Sequence, residues 1–139
     1  MIVTNSKGEI AIIFASKGEY FKLPGGGIEE GEDHLVAAER EAMEEIGCKV
    51  AIDVDCLAMA EEWRNDLHQI SFCLIGRLLE DLGATDLTED EIADGLKHQW
   101  VTVQGAIQKM KESKPTSELG VSIRERDLFL VEEYLRTRS

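Results

Sequence analysis

The sequence predicts an α+β domain in which a mixed β-sheet lies between helices. Two observations predict this class. Strand-like segments rich in β-branched residues stand on both sides of a segment with the 3.6-residue periodicity of a helix, and two more helical segments follow the last strand. The length of 139 residues fits one domain, so residues 1–139 are expected to fold as a single unit.

Three short strands are predicted at the N-terminus. Ile2–Thr4 and Glu9–Ala15 are rich in aliphatic residues and are separated by a polar turn. Tyr20–Leu23 is the third strand, because Pro24 restricts the residue before it to extended geometry. Met1 leads straight into the first strand with no charged or apolar leader, so no secretion signal is expected.

A helix is predicted over His34–Ile46. Asp33 is a favourable N-cap, and Gly47 follows the last periodic residue as a typical C-terminal stop. Four apolar residues of this helix fall within roughly 80° of one another, which predicts the stripe that faces the core. They are Leu35, Ala38, Ala42 and Ile46.

Two long strands are predicted next, over Val50–Arg64 and Leu67–Leu79. Both segments are β-branched and alternating, and Asn65 and Asp66 between them indicate a turn. The two strands are therefore expected to pair as a hairpin.

One strand and two helices complete the predicted order. Lys97–Val103 is strand-like, Gly105–Lys111 begins a helix, and Ile123–Leu135 is an amphipathic helix. The charged run Arg124–Asp127 is expected to lie on the helix surface. Four apolar residues of the last helix lie near one face: Ile123, Leu128, Val131 and Leu135.

The charge of the chain excludes one class of partner. Fifteen Lys and Arg residues against twenty-eight Asp and Glu residues give a net charge of −13. Direct binding of duplex DNA or RNA is not expected, because phosphate backbones are bound by clusters of Lys and Arg. Most of the acidic residues are expected to form a solvated surface. Some are candidates for cation binding, because an acidic protein that holds a polyphosphate needs metal between the two.

Cysteine usage and hydropathy indicate the compartment. Cys48, Cys56 and Cys73 form no CxxC pair, which argues against a disulfide framework or a zinc site and favours core cysteines in a reducing cytosol. No run of about 18 apolar residues exists, so no membrane partner is expected. Both observations indicate a cytoplasmic protein.

Acidic residues share one face of the first predicted helix. Glu41, Glu44 and Glu45 fall within about 100° of one another, away from the apolar stripe, and Arg40 directly precedes them. Like charges at this spacing destabilise a helix, so a merely soluble helix would gain from Lys among them. Clustered carboxylates suit Mg²⁺, with Mn²⁺ as the alternative, and both cations keep waters that a phosphate can displace.

Three glycines precede this helix. Gly25, Gly26 and Gly27 allow backbone carbonyls and amides to approach a ligand closely. The chain then reaches the N-terminus of the helix, where amides and the helix dipole favour anions. The loop is therefore a candidate phosphate site.

These residues together resemble the signature of the Nudix hydrolases. Gly26, five residues, Glu32, seven residues and the run Arg40–Cys48 follow the family pattern, and Leu23–Gly27 before it also fits. One departure is Cys48, where the family has an aliphatic residue; Cys48 is apolar enough to pack there. The other is the short segment before the first strand.

The resemblance implies a fold, an activity and a set of roles. The fold is an α/β/α sandwich, and the activity is hydrolysis of a nucleoside diphosphate linked to another group. Glu41, Glu44 and Glu45 would bind the metal together with the Gly26 carbonyl. Glu32 would support the loop or a second metal, and Arg40, which is thereby placed at the catalytic site, would orient the glutamates through ion pairs.

Charge suggests how such a site works. Metal neutralises the substrate oxygens while a water molecule attacks phosphorus. Glu44 or Glu45 is the favoured candidate for activating that water. Glu91 lies in a region that often supplies a further acidic ligand or base in this family, and Glu89 competes with it. Lys22 faces either the phosphates or solvent, and the sequence leaves both open.

Residues outside the signature decide the substrate. Family markers for ADP-ribose, dinucleoside polyphosphates and NADH do not fit this chain, which has Trp63 and Asp66 near two of the expected places and only two prolines. Elimination favours a small-molecule nucleotide, a nucleoside triphosphate such as oxidised 8-oxo-dGTP, cleaved to a monophosphate and pyrophosphate. The alternatives are ADP-ribose or another nucleotide derivative, and a non-catalytic module that binds a nucleotide. Trp63 is expected to be a sheet residue, with base stacking as the alternative.

Overall fold

The computed structural model describes residues 1–26, 31–64 and 67–138, without the side chains of 54–56, 62, 64 and 67–70. The described elements, in chain order, are strands β1 (Ile2–Thr4), β2 (Ile10–Ala15) and β3 (Tyr20–Lys22), helix α1 (His34–Ile46), strands β4 (Cys48–Arg64) and β5 (Leu67–Asp81), helix α2 (Glu89–Ala93), strand β6 (Leu96–Val101), and helices α3 (Val103–Glu112) and α4 (Glu118–Arg138). Within these residues, no helix is both long and apolar enough to cross a bilayer.

The strands form one mixed sheet. Its order is β3-β2-β1-β5-β4, and β6 also pairs with β2. Strands β1 and β5 are parallel, with Ile2 opposite Ile75, whereas β4 and β5 form a long antiparallel ladder. The mixed sheet predicted from the sequence is therefore confirmed.

Alternating residues of the central strands divide the core into two layers. Val3 and Ile13 face the layer that contains α1. Ile2 and Ile12 face the opposite layer, which contains α3 and α4. All four side chains are at most 1% exposed, because strands buried on both faces place successive apolar residues in different layers. This is the α/β/α sandwich that the resemblance implied.

Helix α1 begins and ends where the sequence predicted. The Asp33 side chain accepts a hydrogen bond from the Leu35 N–H, and Gly47 ends the helix in the left-handed conformation at φ 65°. A side chain at position 47 would also lie 2.5 Å from the Ala84 carbonyl oxygen. The predicted stripe packs as expected, since Ala38, Ala42 and Ile46 are buried and Leu35 packs against the same core.

Several boundaries differ from the prediction because of local hydrogen bonds. Helix α3 starts at Val103, two residues early, because the Thr102 side chain caps it and thereby ends the preceding strand. Helix α2 was not predicted; a capping box between Thr88 and Glu91 starts it. Strand β4 begins at Cys48 and β5 runs to Asp81, since these two residues pair. The predicted turn at residues 65 and 66 lies outside the described residues.

Asp127 was predicted to be a surface residue, and this was wrong. It is 2% exposed, on the buried side of α4 with Leu130, Val131 and Tyr134. Its Oδ2 accepts a hydrogen bond from the Leu23 N–H at 2.8 Å, and its Oδ1 accepts one from Arg126 Nε at 2.8 Å. The carboxylate therefore joins the C-terminal helix to the end of β3, which explains why β3 stops at Lys22.

Most of the predicted apolar face of α4 packs against the core. Val131 is buried, and the half-buried Leu128 and Leu135 pack against the same cluster, whereas Ile123 is half-buried. Helix α4 begins at Glu118, earlier than predicted, and this added part contributes the buried Gly120.

The cysteines and tryptophans lie in different environments. Cys48 and Cys73 are buried, as predicted, and burial, assisted by the nearby Asp81 carboxylate, raises the pKa of the Cys48 thiol to about 11. The Cys56 side chain is outside the described residues. Trp100 is half-buried against the α1 layer, whereas Trp63 is a strand residue with 72% of its surface exposed.

Replacing Asp127 is expected to destabilise the fold. Asp127→Ala removes the acceptor for the buried Leu23 N–H, so the free energy of unfolding should fall by about 2–3 kcal/mol. Asp127→Asn keeps one acceptor oxygen and should cost less. Urea unfolding measures both changes, and Glu132→Ala on the exposed side of the same helix is the control. Equal losses for Asp127→Ala and Glu132→Ala would contradict the assignment.

Candidate metal centre

Three carboxylates from two helices meet at one point. Glu41 and Glu45 are one turn apart on α1, and Glu91 comes from α2. One carboxylate oxygen from each of the three lies within 4.8 Å of the others. The spacing of four residues puts the first two on one helix face, as the sequence predicted.

Backbone hydrogen bonds bring α2 to α1. The Asp86 N–H donates to the Glu44 carbonyl oxygen at 2.7 Å, which fixes the chain just before α2. The capping box then orients Glu91, because its Oε1 accepts a hydrogen bond from the Thr88 N–H at 2.9 Å. Glu91 therefore has two roles: it takes part in the capping box that starts α2, and its carboxylate is the third member of the group.

Glu45 is the most buried member of the group, with 3% of its surface exposed. The Gly25 N–H donates to its Oε1 at 2.7 Å, and Lys22 Nζ lies 3.6 Å from its Oε2. Burial raises the pKa of Glu45 to about 7 although Lys22 and the Gly25 N–H oppose the shift, and a hydrogen bond with Glu91 raises it further. Glu45 is therefore harder to ionise than an exposed glutamate.

The other two carboxylates respond differently. Burial raises the pKa of Glu41, and the neighbouring Glu44 charge adds to the effect while Arg40 opposes it. Partial burial also acts to raise the pKa of Glu91, but hydrogen bonds from Thr88 and Glu45 outweigh it, and the pKa is lowered.

Arg40 holds the carboxylates beside the centre. Its Nε and Nη2 donate to Glu32 Oε2 and Oε1 at 2.8 and 3.0 Å. Its Nη1 donates to Glu41 Oε1 and Glu44 Oε2, each at 3.1 Å. The paired contact with Glu32 ties the segment after the glycine loop to α1. These contacts fit the orienting role predicted for Arg40, which stays a prediction, as does the supporting role of Glu32.

The glycines pack directly against the carboxylates. A side chain at position 26 would lie 2.8 Å from Glu41 Oε1, so any other residue type there would displace the Glu41 carboxylate. Gly25 has a φ of 141° and binds Glu45 through its N–H. Gly27 lies outside the described residues.

Not every predicted site residue joins the group. Glu44 is absent from the three carboxylates that meet in the described part of the chain; its carboxylate pairs with Arg40, and 28% of its side chain is exposed. Glu89 is exposed, so of the two candidates on α2 the structure brings Glu91 to the centre. The Thr88-x-x-Glu91 capping pattern is the sequence signal that predicts this helix.

The donor set fits a hard divalent cation. Three carboxylates repel one another in a partly buried volume, and a cation removes that repulsion. Mg²⁺ and Mn²⁺ prefer such oxygen ligands and keep waters that a phosphate can replace. Glu41, Glu45 and Glu91 would hold the cation, next to the Gly25–Gly26 backbone.

Comparison with known proteins identifies the family. A family model described as NUDIX domain matches residues 1–119. An RNA pyrophosphohydrolase from Mesorhizobium japonicum is 42% identical over 67 residues, which are 46% of this chain and 37% of the relative. The human diphosphoinositol polyphosphate phosphohydrolase 3-alpha is 30% identical over 79% of this chain and 66% of the relative. The chain therefore belongs to the NUDIX family, as the resemblance predicted.

The fold is also that of solved relatives. The MutT protein from Methanosarcina mazei Go1 superimposes with a TM-score of 0.66 at 16% identity, over 99% of this chain and 91% of that one. The chain spans only 37% and 66% of the lengths of the two curated relatives. The names of these relatives agree with the predicted class of enzyme, a hydrolase.

Crowding the glycine that touches Glu41 should weaken metal binding. In Gly26→Ala the new methyl group displaces the Glu41 carboxylate without changing any charge, so the dissociation constant for Mn²⁺ should rise about tenfold. Isothermal titration calorimetry measures the constant, and thermal unfolding without metal checks the fold. Unchanged Mn²⁺ affinity in a folded variant would show that Glu41 does not bind the cation.

Proposed function

We propose that this protein is a metal-dependent pyrophosphohydrolase that cleaves a phosphoanhydride bond in a nucleoside diphosphate-linked substrate. One observation carries the proposal: three carboxylates meet within 4.8 Å beside a glycine loop. Membership of the NUDIX family and the hydrolase relatives support it. Mg²⁺ is the proposed cation, with Mn²⁺ as a substitute.

The residues around the metal centre are assigned different roles. A bound divalent cation supplies neutralisation of the phosphate oxygens and of the charge that develops on the leaving phosphate. Glu41, Glu45 and Glu91 would hold the cation. Arg40 orients Glu41, and the Gly25–Gly26 backbone leaves room for the phosphates because it carries no side chains.

We assign to Glu44 the role of accepting a proton from the attacking water. Attack of water at phosphorus forms one P–O bond and breaks the anhydride P–O bond, and the water loses a proton. Glu44 is adjacent to the three ligands, remains outside their group, and is 28% exposed at its side chain, so a water molecule can reach it. Glu45 is nearly inaccessible to solvent and therefore suits a ligand better than a base.

The proposed substrate is a nucleoside triphosphate, including oxidised forms such as 8-oxo-dGTP, cleaved to a monophosphate and pyrophosphate. Diphosphoinositol polyphosphates and RNA carry many more phosphates, and a chain with a net charge of −13 offers few cations to bind them. The proposed site of action is the cytoplasm, since the three cysteines form no CxxC pair and suit a reducing compartment.

Removing the charge of Glu91 should abolish most turnover. Glu91→Gln keeps the shape and the capping acceptor but removes a metal ligand, so kcat with Mg²⁺ should fall about 100-fold or more. Glu89→Gln, in the first turn of the same helix, changes the net charge equally and is the control. Steady-state kinetics measures both variants.

The same two variants also decide whether Glu91 or Glu89 is the acidic residue that serves the site. A large loss in Glu89→Gln with normal turnover in Glu91→Gln would reverse the assignment. Loss in both variants with a lowered unfolding temperature would indicate that α2 has only a structural role.

A substrate panel tests the proposed reaction. Pyrophosphate and phosphate release is measured with dGTP, 8-oxo-dGTP, ADP-ribose, diadenosine tetraphosphate and 5′-triphosphorylated RNA, each in Mg²⁺ with and without EDTA. A triphosphate should be turned over fastest, and EDTA should stop the reaction. Faster hydrolysis of ADP-ribose than of every triphosphate would remove the proposed substrate, and no turnover of any compound would remove the proposed activity.

A further inference from the structure

In the described part of the chain, Arg40 and Lys22 are basic side chains that contact the group of three carboxylates, and their own contacts differ. Arg40 donates to three carboxylates, those of Glu32, Glu41 and Glu44. Among the described residues, Lys22 forms an ion pair with Glu45 at 3.6 Å, which is longer than a hydrogen bond, and its charge also acts on Glu91. Arg40 is therefore fixed in place, whereas the ammonium of Lys22 is attracted to the site without being locked to it.

Lys22 ends the strand that leads into the glycine loop. Lys22 is the last residue of β3, where it pairs with Ile13. The next backbone N–H, that of Leu23, is bound by the buried Asp127 carboxylate. The Lys22 side chain is 18% exposed and that of Glu45 only 1%, so the lysine lies between the buried ligand and solvent.

A cation bound among the carboxylates would change the electrostatic environment of the Lys22 ammonium group. Two positive charges at neighbouring positions repel, and the attraction of Glu45 is then shared with the metal. Glu45 keeps a partner without Lys22, because the Gly25 N–H donates to its other oxygen. A phosphate oxygen that approaches a cation held by Glu45 comes within reach of the Lys22 ammonium, which is a mobile point charge suited to phosphate.

We propose that Lys22 is an exchangeable counter-ion: it neutralises Glu45 in the empty site and moves to a phosphate oxygen of the substrate when metal binds. This inference rests on the proposed function, and it names a residue that contacts the anhydride substrate. Lys22 thereby competes with the metal before catalysis and assists the substrate afterwards. A purely structural partner of Glu45 would do neither.

The two roles predict opposite effects of one substitution. Lys22→Met removes the competing charge, so Mn²⁺ should bind the free protein at least about threefold more tightly. The same substitution removes a phosphate contact, so KM for dGTP or ADP-ribose should rise about tenfold with a smaller change in kcat. Lys22→Arg restores the charge and should bring both constants back toward the wild-type values.

Calorimetry with Mn²⁺ alone and steady-state kinetics with Mg²⁺ measure these constants. Lys111→Met, at an exposed position on α3, is the charge-matched control and should leave both unchanged. Weaker or unchanged Mn²⁺ binding by folded Lys22→Met, or an unchanged KM, would overturn the role of Lys22. If the wild-type protein binds no Mn²⁺ and hydrolyses neither nucleotide, the proposed function is wrong as well. If the wild-type protein does both, these results for Lys22→Met contradict only the role of Lys22.

Discussion

The burial of the Glu45 carboxylate is the constraint on which the rest of the site depends. A charged group with 3% exposure is unfavourable unless donors or cations surround it. The chain supplies a backbone amide from Gly25 and a cation from Lys22. Neither is enough to keep its pKa at the ordinary value, which burial raises to about 7. A further positive charge at this point would therefore stabilise the ionised Glu45 carboxylate.

The scaffold gathers the remaining groups around that point. Helix α1 presents Glu41 one turn before Glu45, and the Glu44 carbonyl anchors the segment that leads to α2 and Glu91. The chain before the loop is tied to α4, and the chain after it is tied to α1 through Arg40 and Glu32. The glycine loop is therefore attached at both ends to elements on opposite faces of the sheet, which links the chemistry of the site to the packing of both layers.

Local signals allowed much of this arrangement to be predicted. The cap residues and apolar stripe of α1 depend on neighbours within a few positions, so the sequence predicted its limits and its acidic face. Glu91 could be suggested only through the family resemblance, because its approach to Glu45 depends on how distant segments fold together. Asp127 was misplaced because an acid within a charged run on an amphipathic helix is normally solvated; its partner, the Leu23 N–H, is far away in the sequence. The resemblance implied that Arg40 pairs with the glutamates, but not that Glu44 would stay outside the group of three carboxylates. Periodicity gives the face of a helix but not the partner of each side chain.

The buried bond between Asp127 and Leu23 bears on where this domain ends. The family model stops at residue 119, near the start of α4, so Asp127 belongs to a part of the chain that the shared pattern does not include. A fragment cut at that limit would keep every signature residue, yet it would expose the α3 layer and release the strand that leads into the glycine loop. The part of the chain that matches the family model is therefore smaller than the part that supports the glycine loop, because the last helix holds the strand that leads into that loop.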